Sequence, residues 1–381
     1  MSLKLLQTLV EIDSGHKDTD NILQCQELVV SELKELAFQN NFIPSEIKKE
    51  KVQFLASKKE TLQSKKRVAL LSHVDTVFGS RSKFHGFQQI DENRIQGPGV
   101  IDNKGGIVVL LEGLKRYLNN TTQNNLELSV FISPSEERGS PGFQNFMKSE
   151  GEKQDILCCF EPSLQGGHIV SSRSGNRWYQ VVIDGVSAHS GRNFSQGVSA
   201  LHDFLWRAQK IESLNDNEHG VSFSINKVKT PSARANMVCA QLEFIVDFRF
   251  ATNELRDFYH EKILKILSAE GPQQSENNSF CSVKWSLIDD CPAFQMNQSA
   301  ELYCQRYVEI LSKELPSPIE HRQSKGASDA CYFYNKNLVI LDALGPCGDS
   351  MHKKGECLYV DSLEERIQAF AQFLNFLNQE A

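Results

Sequence analysis

Three short apolar runs, each closing on acidic or imidazole side chains, most constrain what this chain can fold into. They are RVALLSHVDTV at residues 67–77, LELSVFISP leading into SEER, and DILCCFEP. Between them apolar residues recur at helical spacing over 22–38 and again over 107–118. Buried strands alternating with amphipathic helices predict an α/β layer built on a largely parallel central sheet. Such sheets present ligands beyond the carboxyl ends of their strands. His73, Asp75, Glu136, Glu137 and Glu161 all fall at those ends, and Asp102 and His352 sit in the polar loops GPGVIDNKGG and GDSMHKKGE.

The middle of the chain changes rhythm. NRWYQVVIDG reads as a strand and 197–211 as a helix; strands follow at 221–228 and 238–250, then a helix at 254–267 and a strand at 282–288. Leu242, Phe244, Val246 and Phe248 alternate with Glu243, Ile245, Asp247 and Arg249, which gives that strand one mainly apolar face. The order β-α-β-β-α-β is ferredoxin-like. Residues 173–289 are therefore expected to form a compact lobe inserted into a discontinuous domain of 1–172 and 290–381. After residue 290 a short strand, NLVILDAL, and a terminal helix at 362–377 complete the reading, and the charged stretch KKEKVQFLASKKE reads as a solvated edge.

Composition narrows the function classes. Acidic residues outnumber basic ones, 48 to 41, for a formal charge of -7, which disfavours long-range attraction to nucleic acid or an anionic membrane. MSLKLLQTLVEIDSG has the pattern of an amphipathic helix rather than a signal peptide, and no apolar run reaches membrane-spanning length. A cytoplasmic protein without nucleic-acid or membrane partners is the expectation. The ten cysteines are scattered without a repeated CxxC pattern, and Cys158-Cys159 reads as a buried pair of small hydrophobes.

Imidazole nitrogen and carboxylate oxygen are suited to zinc. Two cations about 3.5–4 Å apart can activate water and stabilise charge on a carbonyl oxygen. Residue types alone leave the alternative open that these are independent surface and core-edge polar groups. Lys104-Gly105-Gly106 lacks the complete phosphate-loop pattern.

HVDTV, GVIDNKGG, PSEE, FEP and GDSMH, taken in that order, resemble the M20 metallopeptidase family, in particular its glutamate carboxypeptidase and aminoacylase-like branch. The resemblance covers nearly the whole chain. It implies a zinc-exopeptidase-like catalytic domain carrying the ferredoxin-like α+β lobe, and a centre of two divalent ions: Zn2+, with Co2+ or Mn2+ as alternatives. On this pattern Asp102 bridges the ions, His73 and Glu161 hold one, and Glu137 and His352 hold the other. Asp75 accepts a hydrogen bond from His73, and Glu136 is the general base. His189 donates to the substrate carbonyl, reaching the partner's site in dimeric relatives. Asn236 and Arg249 contact substrate, Arg249 by gripping a carboxylate. Asp329 resembles a cleft-supporting residue, and a cis peptide is implied after Asp102.

The implied activity is hydrolysis of an amide bond releasing a C-terminal or N-acylated amino acid, carboxypeptidase-like, by a homodimer acting on small peptides or N-acyl amino acids. A dipeptidase or another N-acyl-amino-acid amidohydrolase is the enzymatic alternative. A noncatalytic binding protein on the same scaffold would call for loss of a ligand or of the base, and every one of them is present.

Overall fold

The computed structural model describes residues 2–59, 66–231, 234–276, 278–313 and 318–381. The chain divides into two compact units, one of Met1–Arg173, Phe294–Ser324 and Ser328–Ala381, the other of Ser174–Ala293 with Lys325–Ala327.

The first unit is built on a six-stranded sheet in the order Gln39–Pro44, Gln53–Lys59, Leu126–Ser133, Lys66–His73, Ile156–Cys159 and Val339–Leu341. The last four strands run parallel to one another; Gln53–Lys59 joins them antiparallel, and Gln39–Pro44 is in turn antiparallel to Gln53–Lys59. Val68, Ala69, Leu70 and Leu71 are all buried, so this central strand is covered on both faces. That explains its unbroken apolar run, where a half-exposed strand would alternate. The helix Lys104–Asn120 packs against the terminal helix Val360–Glu380. Gly113 allows the close approach: a Cβ there would lie 2.5 Å from the Phe370 ring.

One element departs from the sequence reading. The stretch read as a solvated edge contains Gln53–Lys59, an interior strand paired on both sides, with Phe54 and Leu55 fully buried. Its lysines and Glu50 flank a centre that is apolar, and the charged flanks mask that centre in the sequence. Gln39–Pro44, which occupies the edge instead, carries little hydrophobic signal. Glu60, the last residue of that stretch, lies outside the described residues.

The second unit is an antiparallel four-stranded sheet ordered Ser222–Lys229, Gln241–Phe250, Gly175–Asp184 and Ser282–Cys291. With the helices Ala200–Glu212 and Asn253–Ser268 its chain order is β-α-β-β-α-β. Leu242, Phe244, Val246, Phe248 and Phe250 alternate into one core, as the period of two requires. Side-chain caps start both helices: Ser199 accepts from the His202 N–H and Thr252 from the Leu255 N–H. Among the described residues no helix is long and apolar enough to cross a membrane.

Candidate metal centre

Three parallel strands of the first unit deliver four of the polar groups directly. His73 is the last residue of its strand, Glu136 and Glu137 form a short turn three residues past Ser133, and Glu161 follows two residues after Cys159. His73 Nδ1 lies 2.9 Å from the backbone oxygen of Asp75 and 3.4 Å from its carboxylate. The carbonyl is therefore the closest acceptor for an Nδ1–H, which leaves the Nε2 lone pair free to act as a ligand. The Asp75 carboxylate does a second job that its spacing from His73 did not suggest. Fully buried, it accepts the backbone N–H groups of Glu136 at 3.0 Å and Glu137 at 3.1 Å. It thereby ties the turn of the two glutamates to the end of the neighbouring strand.

Asp102 stands between the two histidines. His73 Nε2 is 3.0 Å from one of its oxygens, and His352 Nε2 is 2.9 Å from the other. Glu161 Oε1 is 3.7 Å from His73 Nε2, and Glu137 Oε1 is 3.4 Å from His352 Nε2. Two ligand groups result, His73–Asp102–Glu161 and Asp102–Glu137–His352, each with its donor atoms within 4.8 Å of one another, and Asp102 belongs to both. The peptide after Asp102 is cis. Asn103, next along, donates to Glu161 Oε1 at 3.3 Å.

The electrostatics suit cations. Burial pushes Glu136 well above the usual carboxylate range, with repulsion from Glu161, Asp329 and Glu137 adding to it against relief from His73. Burial likewise lifts Glu161 to about 8 and raises Glu137. The hydrogen bond to Asp102, together with the neighbouring Glu137 carboxylate, raises His352 to about 10. Carboxylates crowded in this way compete for protons, and a bound cation would relieve the same repulsion. Glu137 Oε1 is buried without a hydrogen-bond partner among the described residues. That orphaned acceptor and the imidazole–carboxylate donor set both fit a divalent metal of the zinc type.

Three further residues singled out in the sequence, His189, Asn236 and Arg249, lie in the second unit. His189 is half-buried, and its Nδ1 accepts the N–H groups of Gly191 at 3.1 Å and Arg192 at 3.2 Å, so its proton resides on Nε2. Asn236 is exposed and close by, its carbonyl accepting the Ser190 N–H at 3.0 Å. Arg249 already has a carboxylate partner: Asp247, two residues earlier on the same strand face, takes Nε at 2.8 Å and Nη2 at 3.0 Å.

Sequence reading missed two buried groups and left one unplaced. Glu356, four residues beyond His352, is buried against the Asp102 loop, and Asn103 supports Glu161. Only the persistence of polar residues beside the ligands hints at either. Asp329, whose contact the sequence left open, accepts from Ser140 Oγ at 2.6 Å, and Ser140 in turn lies 2.9 Å from Ser133 Oγ. The turn bearing Glu136 and Glu137 is thus closed at both ends.

Comparison with known proteins finds relatives along most of the chain. Carboxypeptidase G2 of Pseudomonas sp. (strain RS-16) is 24% identical over 379 residues, 98% of this chain and 88% of that protein. A succinyl-diaminopimelate desuccinylase of Shewanella piezotolerans is 22% identical over 321 residues, covering 80% of this chain and 81% of that protein. The crystal structure of a tripeptidase from Staphylococcus aureus superposes with a TM-score of 0.79 at 18% identity, covering 99% of this chain and 98% of that one. Residues 69–375, which include every residue of the two candidate groups, match peptidase family M20/M25/M40. This chain is a member of that family and a metal-dependent hydrolase.

Proposed function

We propose that the chain is a binuclear amidohydrolase that releases an amino acid bearing a free carboxylate from a small peptide or an N-acyl amino acid, carboxypeptidase-like in its preference. One observation carries the reading: the two oxygens of a single carboxylate, Asp102, face two different histidines, each within its own ligand group. His73 and Glu161 would hold one ion, Glu137 and His352 the other, with Asp102 shared. Two bound divalent ions, Zn2+ on this donor set with Co2+ or Mn2+ able to substitute, supply Lewis acidity and a water acidic enough to attack near neutral pH.

The side chains do the rest. Glu136, held by its own N–H to Asp75, takes the proton of the attacking water and returns it to the departing amine. The Nε2–H of His189 donates to the carbonyl oxygen as negative charge grows on it. Asn236 and Arg249 hold the substrate carboxylate. Arg249 gives two donors to Asp247 and retains others on its guanidinium fork. The edge strands of the second sheet suit a homodimer, which size-exclusion chromatography with light scattering would reveal. The desuccinylase relative supports acylase chemistry as the second reading.

A panel of dipeptides and N-acyl amino acids, assayed for released amine with Zn2+, Co2+ or Mn2+, tests this. Turnover is expected on at least one class and is expected to vanish on chelation. A chain that binds two ions yet leaves the whole panel intact would sink the proposal.

A further inference from the structure

We propose that Glu356 is the positioning residue for Asp102, so that ion affinity at both cation positions depends on it. The inference rests on the binuclear reading above and adds a residue to it. HKKGE looks like a solvated loop, yet Glu356 is 1% exposed. One carboxylate oxygen accepts the N–H of Ile101 at 3.0 Å and of Asp102 itself at 3.1 Å. The other accepts the N–H of Gly99 at 3.2 Å. Its backbone oxygen takes the Gly97 N–H at 3.2 Å.

These four bonds span residues 97–102, the loop that brings Asp102 in. Gly99 lets the loop curl round the acid: its φ is +73°, and a Cβ there would lie 2.5 Å from Thr76 Cγ2. Immediately after Glu356, Cys357–Tyr359 pairs antiparallel with Arg94–Gln96, so the two loops share a short sheet as well as the carboxylate. One loop therefore presents His352 and, four residues later, fixes the backbone of the aspartate that His352 faces.

The chemistry calls for an acid. Three N–H donors converge, and only a group with two acceptor oxygens and no donor satisfies them all. Glutamine would turn an NH2 toward one of those N–H groups. Aspartate would keep the charge but withdraw it by one methylene. Either change loosens the backbone of Asp102, and because that carboxylate belongs to both ligand groups, both positions weaken together. A role in loop folding alone would leave ion affinity unchanged once the protein has folded.

The test uses the full chain and Zn2+ titrated against a chromogenic chelator, with bound metal counted by mass spectrometry and fold checked by circular dichroism. Wild type is expected to bind two ions. Glu356→Gln and Glu356→Asp, folded as wild type, are expected to bind both about ten- to a hundred-fold more weakly, the scale of lost outer-shell support. Wild-type affinity in either folded variant overturns the inference; fewer than two ions on the wild type overturns the binuclear reading instead. Hydrogen exchange on the metal-free wild type decides the matter if both variants fail to fold. Protected amides at Gly99, Ile101 and Asp102 support the clamp, and freely exchanging ones overturn it.

Discussion

The two ends of the parallel sheet treat their carboxylates in opposite ways. At the end where the strands begin, Asp155 precedes Ile156–Cys159 and meets Arg67, the second residue of the neighbouring strand. It accepts from the Arg67 backbone N–H at 2.8 Å, from Nε at 3.1 Å and from Nη2 at 2.6 Å. Burial works against its charge, but these bonds more than offset that and hold its pKa below the ordinary value. At the end where the strands finish, burial pushes Glu136 and Glu161 upward, with Glu161 adding to the shift of Glu136 and Asp102 and Asp342 to that of Glu161. One end supplies Asp155 with its own guanidinium. The other gathers acids around two imidazoles and leaves Glu137 Oε1 without a hydrogen bond. A carboxylate that arrives with its counter-charge is part of the scaffold. A crowd of them sharing too little positive charge is a place for ions.

The inserted unit supplies an intermediate case. Arg249 is half-exposed and comes with Asp247, as Arg67 comes with Asp155, yet its fork keeps donors to spare. Pairing of this kind aims a guanidinium without consuming it.

Substitutions can break this contrast, and the largest effect belongs to the end with the crowded acids. Glu136→Gln is expected to lower kcat by about 10²- to 10⁴-fold, the usual worth of a general base, with metal content unchanged. Wild-type turnover from a metal-loaded variant would remove Glu136 from the reaction. Next, Asp75→Asn should weaken Zn2+ binding about ten- to a hundred-fold, because an amide cannot accept both glutamate N–H groups as the carboxylate does. Equilibrium dialysis reads that out, and unchanged affinity would reduce Asp75 to a turn-former.

Arg249→Met should raise KM about tenfold for substrates with a free carboxylate, as loss of a charge-assisted hydrogen bond would, and leave amidated analogues untouched. An equal rise for both substrate types would argue against carboxylate recognition. The smallest effect is expected at the opposite end of the sheet. Asp155→Asn should cost no more than about 1 kcal/mol at pH 7, since the ion pair is partly exposed. The folded pKa is depressed, so the contribution is complete above the unfolded value and fades as pH falls through the folded one. Denaturant melts at pH 7 and pH 3 should therefore show the wild-type advantage shrinking in acid, and an advantage that grows instead would reverse the assigned sign.

Legibility followed the same physics. Unbroken apolar runs ending in His73, Glu136, Glu137 and Glu161 mark strand termini, because only a strand covered on both faces tolerates such a run. Period-two alternation made the Gln241–Phe250 strand equally plain. Gln39–Pro44 was illegible because an edge strand needs little apolar surface, and Gln53–Lys59 was obscured by charges that lie at its ends rather than its centre.

What the sequence determined by itself is the set of chemical groups and the strands that carry them, because periodicity and residue type are local properties. What only the tertiary structure decided is which groups meet: Asp102 with His352, 250 residues apart; Asp75 with the Glu136 and Glu137 amides; and Glu356 with the loop at 97–102. Hydrogen bonds between distant residues leave no periodic trace, since their partners are brought together by core packing rather than by spacing along the chain.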